Sequence, residues 1–396
     1  MVYPEEVLLL FRLLIALFYL ESMRASTLEM NTEISIQNLY RLLDLDPLPE
    51  IPHWSTVNTF LERVDPNELQ EIIQRLVYDL IRRRTFESSR LFDRYWQILI
   101  DGTGLYHFGT ERHCEHCLKK EHKDPNGKLL YTEYYHEVLE AKLVLHEHLV
   151  FSIATEFIEN EHEGVEKQDC ELKAFYRMAE KLKKRFPRLP ICITVDSLYA
   201  GNTTFNLCRK NQWEYLIRFK AGSIPSVAQE FNELRDLEAD QTFSIREKGV
   251  EKSYSYVNGI EYGDQHFLNM LSYTEKKENE PENTFVYLSS IPVTRKNAPQ
   301  LVHGGRRRWC IENEGFNRQI NHGYYLEHPF SRHKIGMKCH YFLIQIAHMI
   351  AQLLEVQWKD LIEGSNLKSF HRLLRRSFQT YILPQEEEGK FHLQWI

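Results

Sequence analysis

Two short apolar runs, each followed at once by an aspartate, constrain most strongly how this chain can fold. Residues 96–100 lead into Asp101, and residues 191–195 lead into Asp196. Runs this short and nearly continuous are typical of strands that are covered on both faces of a sheet. Between them, apolar residues recur three and four positions apart over residues 172–186, which predicts an amphipathic helix. Strand, helix and strand in this order predict an α/β fold with a covered sheet.

Both aspartates are expected at the carboxyl ends of strands, which is the edge of an α/β sheet where ligands bind. Taken singly, each could form a turn or cap a helix, and for one aspartate that structural role is the commoner one. Two aspartates after two such similar strands favour a shared site. Two-metal phosphoryl transfer needs several converging carboxylates, and Mg²⁺ prefers oxygen ligands of this kind.

A third carboxylate lies in a basic, aromatic segment. Glu312 follows Arg308 by four residues and Trp309 by three, and it precedes Phe316 by four. On a helix these positions share one face, so Arg308 and Glu312 would point towards the site while the aromatic rings anchor the helix on the sheet. Glu314 would point elsewhere, because it lies about 200° further round the helix. A charged helix with an Arg–Glu pair is the alternative meaning of this segment.

The remaining patterns divide the chain into regions. The pattern of the N-terminal part predicts three helices. The first covers 34–45, the second begins after the N-cap Ser55, and the third covers 66–84. The first two could form a DNA-reading helix-turn-helix, although most such pairs are only packed helices. Strand-like stretches with the hairpin signal Asn258-Gly259 predict a β-rich insertion, and helical periodicity resumes at 306–321 and 336–358. The predicted regions are 1–90 (helical), 91–220 (core, first part), 221–299 (insertion), 300–360 (core, second part, with Glu312) and 361–396 (a basic and then acidic tail).

Composition excludes a disordered or fibrous chain, since 43% of residues are hydrophobic and 27% are charged. The longest apolar run, residues 7–20, contains Arg12 and is too short to span a bilayer, and no basic segment precedes it. We therefore expect a cytoplasmic protein without membrane contact. The formal charge of −7 is uneven, because residues 291–380 hold 14 Lys and Arg against 6 Asp and Glu. Such a basic third suits a phosphate-binding face or, equally, a solvated helix surface.

Three motifs in order resemble those of bacterial insertion-sequence transposases of the DDE type, which have an RNase H-like catalytic core. They are residues 98–103 (ILIDGT), 193–200 (ITVDSLYA) and 308–313 (RWCIEN), followed by GFN at 315–317. In particular, the chain resembles the group whose signature is Tyr, two residues, Arg, three residues, Glu, six residues, Lys, with a β-rich insertion before the Glu. The resemblance spans about residues 55–350. It departs from the signature at Gly305 and Gln319, which stand at the Tyr and Lys positions.

This resemblance implies a DNA transposase that cleaves at the terminal inverted repeats of its element and transfers the freed 3′-hydroxyl to target DNA. Asp101, Asp196 and Glu312 would be the catalytic residues and the ligands of Mg²⁺, with Mn²⁺ as a substitute. The implied partners are double-stranded DNA and a second copy of the chain, forming a homodimer on DNA. The implied DNA contacts are Arg308, Arg318, Arg218, Lys220 and Trp309. Arg218 and Lys220 could instead be the solvated end of a strand.

Two other functions would use the same features. An RNase H-like nuclease would cut DNA with the same three carboxylates and without transposition. The departures at Gly305 and Gln319 favour this alternative, because the residues at those signature positions contact DNA phosphates near the cleaved end. A domesticated regulatory protein would keep the fold and bind DNA without cleaving it, but the complete acidic triad argues against it.

A separate cluster combines a C-x₂-C unit with neighbouring histidines. Cys114 and Cys117, with His113, His116 and His122, could hold a structural Zn²⁺ or could form a polar loop with reduced thiols. No disulfide framework is expected in so long a chain without a secretion signal. We expect the single cysteines to be core residues and the isolated histidines to be ordinary surface or core residues: Cys192, Cys208, Cys310 and Cys339, and His107, His136, His303 and His328.

Overall fold

The computed structural model describes residues 2–108, 114–146, 148–237, 239–263, 265–278, 280–328, 330–362 and 367–383. Its strands are β1 (Trp96–Phe108), β2 (Leu118–Lys123), β3 (Leu129–His146), β4 (Leu149–Ile158), β5 (Ile191–Val195), β6 (Glu214–Arg218), β7 (Thr242–Glu247), β8 (Val250–Tyr262), β9 (His266–Lys277) and β10 (Asn283–Ser289). Its helices are α1 (Glu5–Leu17), α2 (Met23–Met30), α3 (Glu33–Arg41), α4 (Trp54–Leu61), α5 (Pro66–Arg82), α6 (Glu171–Arg185), α7 (Asn202–Asn211), α8 (Pro225–Leu237), α9 (Ala298–Arg306), α10 (Arg318–Asn321), α11 (Lys334–Gln357), α12 (Lys359–Ile362) and α13 (Leu367–Thr380), with a π-helical segment at Ile311–Asn317.

The described strands form one mixed sheet in the order β2-β3-β1-β5-β6-β10-β9-β8-β7, with β4 also paired to β3. β1, β3 and β4 are antiparallel neighbours, whereas β5 runs parallel to β1 and β6 runs parallel to β5. Parallel neighbours need a crossover connection, and α7 supplies the one between β5 and β6. The α/β class that the apolar runs predict is therefore confirmed.

The strands of the predicted insertion extend the same sheet. β10 pairs with β6, and β9, β8 and β7 follow as an antiparallel meander. The prediction of a hairpin turn at Asn258-Gly259 is wrong, because both residues lie within β8 at a break in its register with β9. The side chain of Asn258 exchanges two hydrogen bonds with the backbone of Val293, which fixes this bulge. Gly263, with φ 58°, follows the end of β8.

The N-terminal helices form a layer with α11 and α13. α1 is largely buried against α11 and α4. His53 caps α4 in place of the predicted Ser55, because its ring nitrogen accepts a hydrogen bond from the Ser55 N–H at 3.3 Å. α3 packs on α13, where the Asn38 amide donates to the Phe378 carbonyl at 2.7 Å. DNA reading by α3 and α4 stays a prediction, and the acidic residues 386–388 of the tail lie outside the described residues.

Among the helices in the described ranges, α11 alone is long and apolar enough to cross a membrane. Its most apolar window is 72% buried within the protein, and it packs on α1, α5 and β4. This burial is that of a core helix in a globular protein. The cytoplasmic location stays a prediction.

The cysteines show no disulfide within the described part of the chain. Cys192, Cys208 and Cys339 are buried core residues, as expected, whereas Cys310 is partly exposed.

A fully buried ion pair on β3 connects the sheet with α11. Glu140 and Lys142 lie on β3 with no exposed side-chain surface, and Lys142 Nζ is 3.9 Å from Glu140 Oε1. Thr155 from β4 and Tyr341 from α11 donate hydrogen bonds to the Glu140 carboxylate at 2.6 and 2.7 Å. Lys142 donates to Gln345 of α11 at 2.8 Å. Burial opposes the charge on both groups, raising the pKa of Glu140 and lowering that of Lys142.

We expect Lys142→Met to lower the free energy of unfolding by about 3–5 kcal/mol, because it leaves the buried Glu140 carboxylate without its counter-charge. The double variant Glu140→Gln/Lys142→Met removes both charges and should lose much less. Urea denaturation of the three proteins measures the difference. Equal loss in the single and double variants would show that the pairing of charge is not what matters here.

Candidate active site

Strand register brings the two predicted aspartates level with each other. β1 and β5 pair in parallel from Trp96↔Ile191 to Leu99↔Thr194. Continued by two residues, the same register sets Asp101 opposite Asp196, and neighbouring strands lie about 4.8 Å apart. The expectation that a strand ends at Asp101 is wrong, since β1 continues to Phe108 through its pairing with β3. Asp101 instead marks where β1 loses β5 as its neighbour.

Asp196 also caps a turn, which is the structural role that was the alternative to a place in a shared site. Its Oδ1 accepts a hydrogen bond from the Leu198 N–H at 2.8 Å and so caps the short 3₁₀ turn Ser197–Tyr199. Only one oxygen is used in this bond, and the side chain is partly exposed. The cap fixes the direction of the carboxylate at the end of β5.

Arg308 links Asp101 to Glu312. Its guanidinium lies 3.1 Å from Asp101 Oδ2 and 2.7 Å from Glu312 Oε1, with 13% of the Arg308 side chain exposed. Glu314 turns away, as expected, and accepts from His148 at 3.1 Å. The helical periodicity predicted over 306–321 is confirmed from residue 309 onwards, although α9 ends at Arg306 and residues 311–317 are π-helical. π-Helical segments are rare in proteins, and those that occur often lie at functional sites.

Burial and neighbouring charges perturb this group of acids. The pKa of Asp101 is raised to about 6, chiefly because the carboxyl is buried; Arg308 opposes the shift, while Glu171 and Glu312 add to it. Burial also raises the pKa of Glu171, with Glu137 and Asp196 contributing. A site that crowds ionised carboxylates in this way is one that a cation would stabilise.

Glu171 is a fourth acid that the sequence reasoning missed. As the first residue of α6 it accepts from the Tyr199 hydroxyl at 3.1 Å. Its Oε1 lies so close to Gly102 that a Cβ on that glycine would be only 2.6 Å away. Gly102 directly follows Asp101, so Glu171 belongs to the same group. Its position at a helix start carries no signal that distinguishes it from a glutamate that stabilises the helix dipole.

The predicted DNA contacts fall into two sets. Trp309 is 52% exposed beside Arg308, so it does not anchor the helix on the sheet as expected; buried Phe316 does that. Lys220 is exposed. Arg218 donates to the carbonyls of residues 284 and 286, and Arg318 is 5% exposed in an ion pair with Glu355. Arg218 and Arg318 would have to leave these partners to reach a phosphate.

Packing accounts for the two departures from the transposase signature. A Cβ on Gly305 would lie 2.2 Å from the ring of Tyr287, a buried residue of β10. Tyr287 therefore fills the space beside position 305. Gln319 is fully buried and bonds to Gln345 and His348 of α11. Neither position presents a side chain to solvent.

The cysteine cluster forms with a histidine that the sequence analysis set aside. Cys114 and Cys117 meet His136 of β3, and their ligand atoms all lie within 4.8 Å of one another, so the group could hold a metal ion. The expectation that His136 is an ordinary histidine is corrected by this grouping. His116 instead bonds to the Asn160 carbonyl and His122 to Glu133, while His113 lies outside the described residues. No sequence signal links His136 to the cysteines, because it lies nineteen positions beyond Cys117 and within β3.

The other histidines set aside in the sequence analysis show no comparable grouping in the described chain. His107 bonds to Glu133, and His328 packs on Phe330. Across the described residues, no group of three or more carboxylates has its oxygen atoms within 4.8 Å of one another, as the ligand atoms of the Cys–His cluster are. Around Asp101 the guanidinium of Arg308 occupies the space between two of the three acids.

No protein-family model matches the chain, and no curated protein matches it.

We expect Gly305→Ala to destabilise the protein by about 1–3 kcal/mol, because the added methyl group must displace the Tyr287 ring in a packed core. Gly222→Ala is the matched control, since a Cβ there meets no atom within 4 Å. Urea unfolding of both variants tests this expectation. A Gly305→Ala protein as stable as the control would mean that Tyr287 moves freely.

We expect Asp101→Asn to raise the free energy of unfolding at about pH 7.5, by on the order of 1–2 kcal/mol. The folded protein holds a proton on Asp101 up to about pH 6, whereas the carboxyl ordinarily titrates near 3.8. Folding therefore takes up a proton between these values, and the wild type loses stability as the pH rises through them. The gain from the substitution should vanish at about pH 4.

Urea unfolding at several pH values measures this effect. Asp240→Asn, a substitution at an exposed position, is the control and should change little at any pH. A variant at Asp101 that is less stable than the wild type at about pH 7.5 would show that its bond to Arg308 outweighs the cost of burying the charge.

Proposed function

We propose that the protein is a metal-dependent DNA transposase of the DDE type with an RNase H-like core. The observation that carries the proposal is that Arg308 bonds to both Asp101 and Glu312. The register of β1 with β5, continued by two residues, would set Asp196 beside Asp101. The strand order β4-β3-β1-β5-β6, three antiparallel strands followed by two parallel ones, supports the RNase H-like core.

The donor set suits the proposed cation. Carboxylate oxygens are the ligands of Mg²⁺ and of its substitute Mn²⁺. Asp101, Asp196 and Glu312 would hold it. Mg²⁺ at such a site supplies activation of the attacking hydroxyl and stabilisation of the leaving oxygen. Zn²⁺ at the Cys–His cluster would be structural, since its ligands are sulfur and nitrogen.

The protein's own side chains supply the positioning in this proposal. The Leu198 cap and the packing of β1 hold the two aspartates in place before DNA arrives. Arg308 is the cation next to both Asp101 and Glu312, and its guanidinium would contact a DNA phosphate brought to the site. Exposed Trp309 and Lys220 would bind the strand nearby, by stacking and by charge. The DNA ends would be held by a homodimer.

One rival is favoured by a specific observation. Gly305 and Gln319 offer DNA no phosphate contact, because one is a glycine beneath Tyr287 and the other is buried. An RNase H-like nuclease without transposition has no need of the signature residues at these positions. A non-catalytic DNA-binding protein would have no need of the acids either.

Nicking of supercoiled plasmid tests the proposal. We expect the wild type, in Mg²⁺ or Mn²⁺, to cut a plasmid that carries the DNA flanking its own gene, at the ends of the element. Asp196→Ala and Glu312→Gln should each reduce the rate by about 100-fold or more, because the metal ligands provide most of the transition-state stabilisation. Glu314→Gln is the matched control, since Glu314 faces His148, and it should retain cutting.

The outcomes separate the three functions. Metal-dependent cuts at the element's ends that both variants lose support a transposase. Equal cutting of an unrelated plasmid points to the nuclease. Cutting that persists in both variants contradicts the site, and DNA binding without any cleavage by the wild type contradicts catalysis.

A further inference from the structure

The three atoms of the Cys–His cluster are already arranged around one point. The two sulfur atoms of Cys114 and Cys117 are 3.2 Å apart, and His136 Nε2 lies 3.2 Å from the first and 3.4 Å from the second. Cys117 and His136 are only 2% and 7% exposed. A cation about 2.0–2.3 Å from each of these atoms would sit just off their plane and leave a fourth, tetrahedral position open.

The chemistry of the three ligand atoms suits a zinc ion. Sulfur and imidazole nitrogen are ligands for Zn²⁺ and poor ones for Mg²⁺.

We propose that Cys114, Cys117 and His136 bind one structural Zn²⁺, and that this ion fastens the loop from which α6 and the acid Glu171 start. The assignment goes beyond the proposed reaction and does not depend on it. Two of the ligands lie in the segment before β2 and the third lies on β3, so the ion joins parts of the chain about twenty residues apart. Because the unfolded chain has no such site, the free energy of metal binding adds to the stability of the fold.

Backbone hydrogen bonds connect the cluster to the loop after β4. The Asn160 N–H donates to the His116 carbonyl at 3.0 Å, and the Asn160 amide donates to the Cys117 carbonyl at 2.9 Å. Asn160 Oδ1 in turn accepts from the Asp169 N–H at 3.2 Å. The segment between the two cysteines therefore holds both ends of the loop 159–170.

That loop ends where the fourth acid of the candidate active site begins. Gln168 exchanges two hydrogen bonds with the backbone of Lys119, the second residue of β2, at 2.6 and 3.0 Å. Three residues later, Glu171 opens α6 and packs against Gly102. Removal of the ion should loosen the path from Cys117 through Asn160 and Gln168 to Glu171.

Metal content of the full-length protein tests the assignment directly. The wild type, purified without chelator and passed through a desalting column, should retain one Zn²⁺ per chain by elemental analysis. Cys117→Ala and His136→Asn should each lose it. Cys170→Ser, which changes an exposed cysteine outside the cluster, is the matched control and should retain it.

Hydrogen exchange keeps the test decisive if a variant fails to fold. Chelation of the wild type should speed amide exchange in residues 159–171 by tenfold or more, and added Zn²⁺ should restore the slow rate. Exchange in β8 and β9, remote in the sheet order, should not change. A wild type that retains no zinc, a Cys117→Ala protein that retains it, or exchange that chelation leaves unchanged would overturn the proposal. None of these readouts involves DNA cleavage, so they fail or succeed separately from the proposed function.

Discussion

The buried pair of Glu140 and Lys142 is the interaction on which the arrangement of this core depends. Neither side chain has exposed surface, so each charge requires the other together with hydrogen bonds from β4 and α11. The pair can be satisfied only when β3, β4 and α11 meet in one register. Lys142 also presses on the π-helical segment, where a Cβ on Gly315 would lie 2.9 Å from its Cε. The same pair therefore sets the height at which the segment carrying Glu312 rests on the sheet.

The candidate active site is assembled from parts that are far apart in sequence, and each part is held by a different force. Parallel pairing of β1 with β5 aligns Asp101 with Asp196, and core packing of Phe316 positions the π-helical segment. Ion pairs from Arg308 to both acids hold Glu312 near Asp101. The site lies where the sheet changes from antiparallel to parallel, at the edge at which β1 loses β5 as a neighbour. Open α/β sheets bind ligands at such edges because the diverging chains leave a crevice there.

Features carried by local periodicity could be predicted from the sequence. β5 has the predicted bounds, and α11 differs from prediction by two residues at its start and one at its end, because their apolar spacing is set by the face that each buries. Features set by distant contacts could not be predicted. Asn258-Gly259 has the composition of a turn, yet the Asn258 side chain donates a hydrogen bond to the distant Val293 carbonyl. The same holds for the site, since three acids and Arg308 stand in recognisable motifs while His136 and Glu171 become neighbours of their groups only through folding.

The electrostatics of the site show why Arg308 is placed where it is. Asp101 is surrounded by other acids and partly buried, so its ionised form is costly, and Arg308 is the group that lowers this cost. An arginine keeps its charge throughout the physiological range, and its planar fork can serve two carboxylates at once. Arg308 thus offsets the repulsion between the Asp101 and Glu312 carboxylates. A lysine would deliver its charge to one point, and only one of the two acids would then be neutralised.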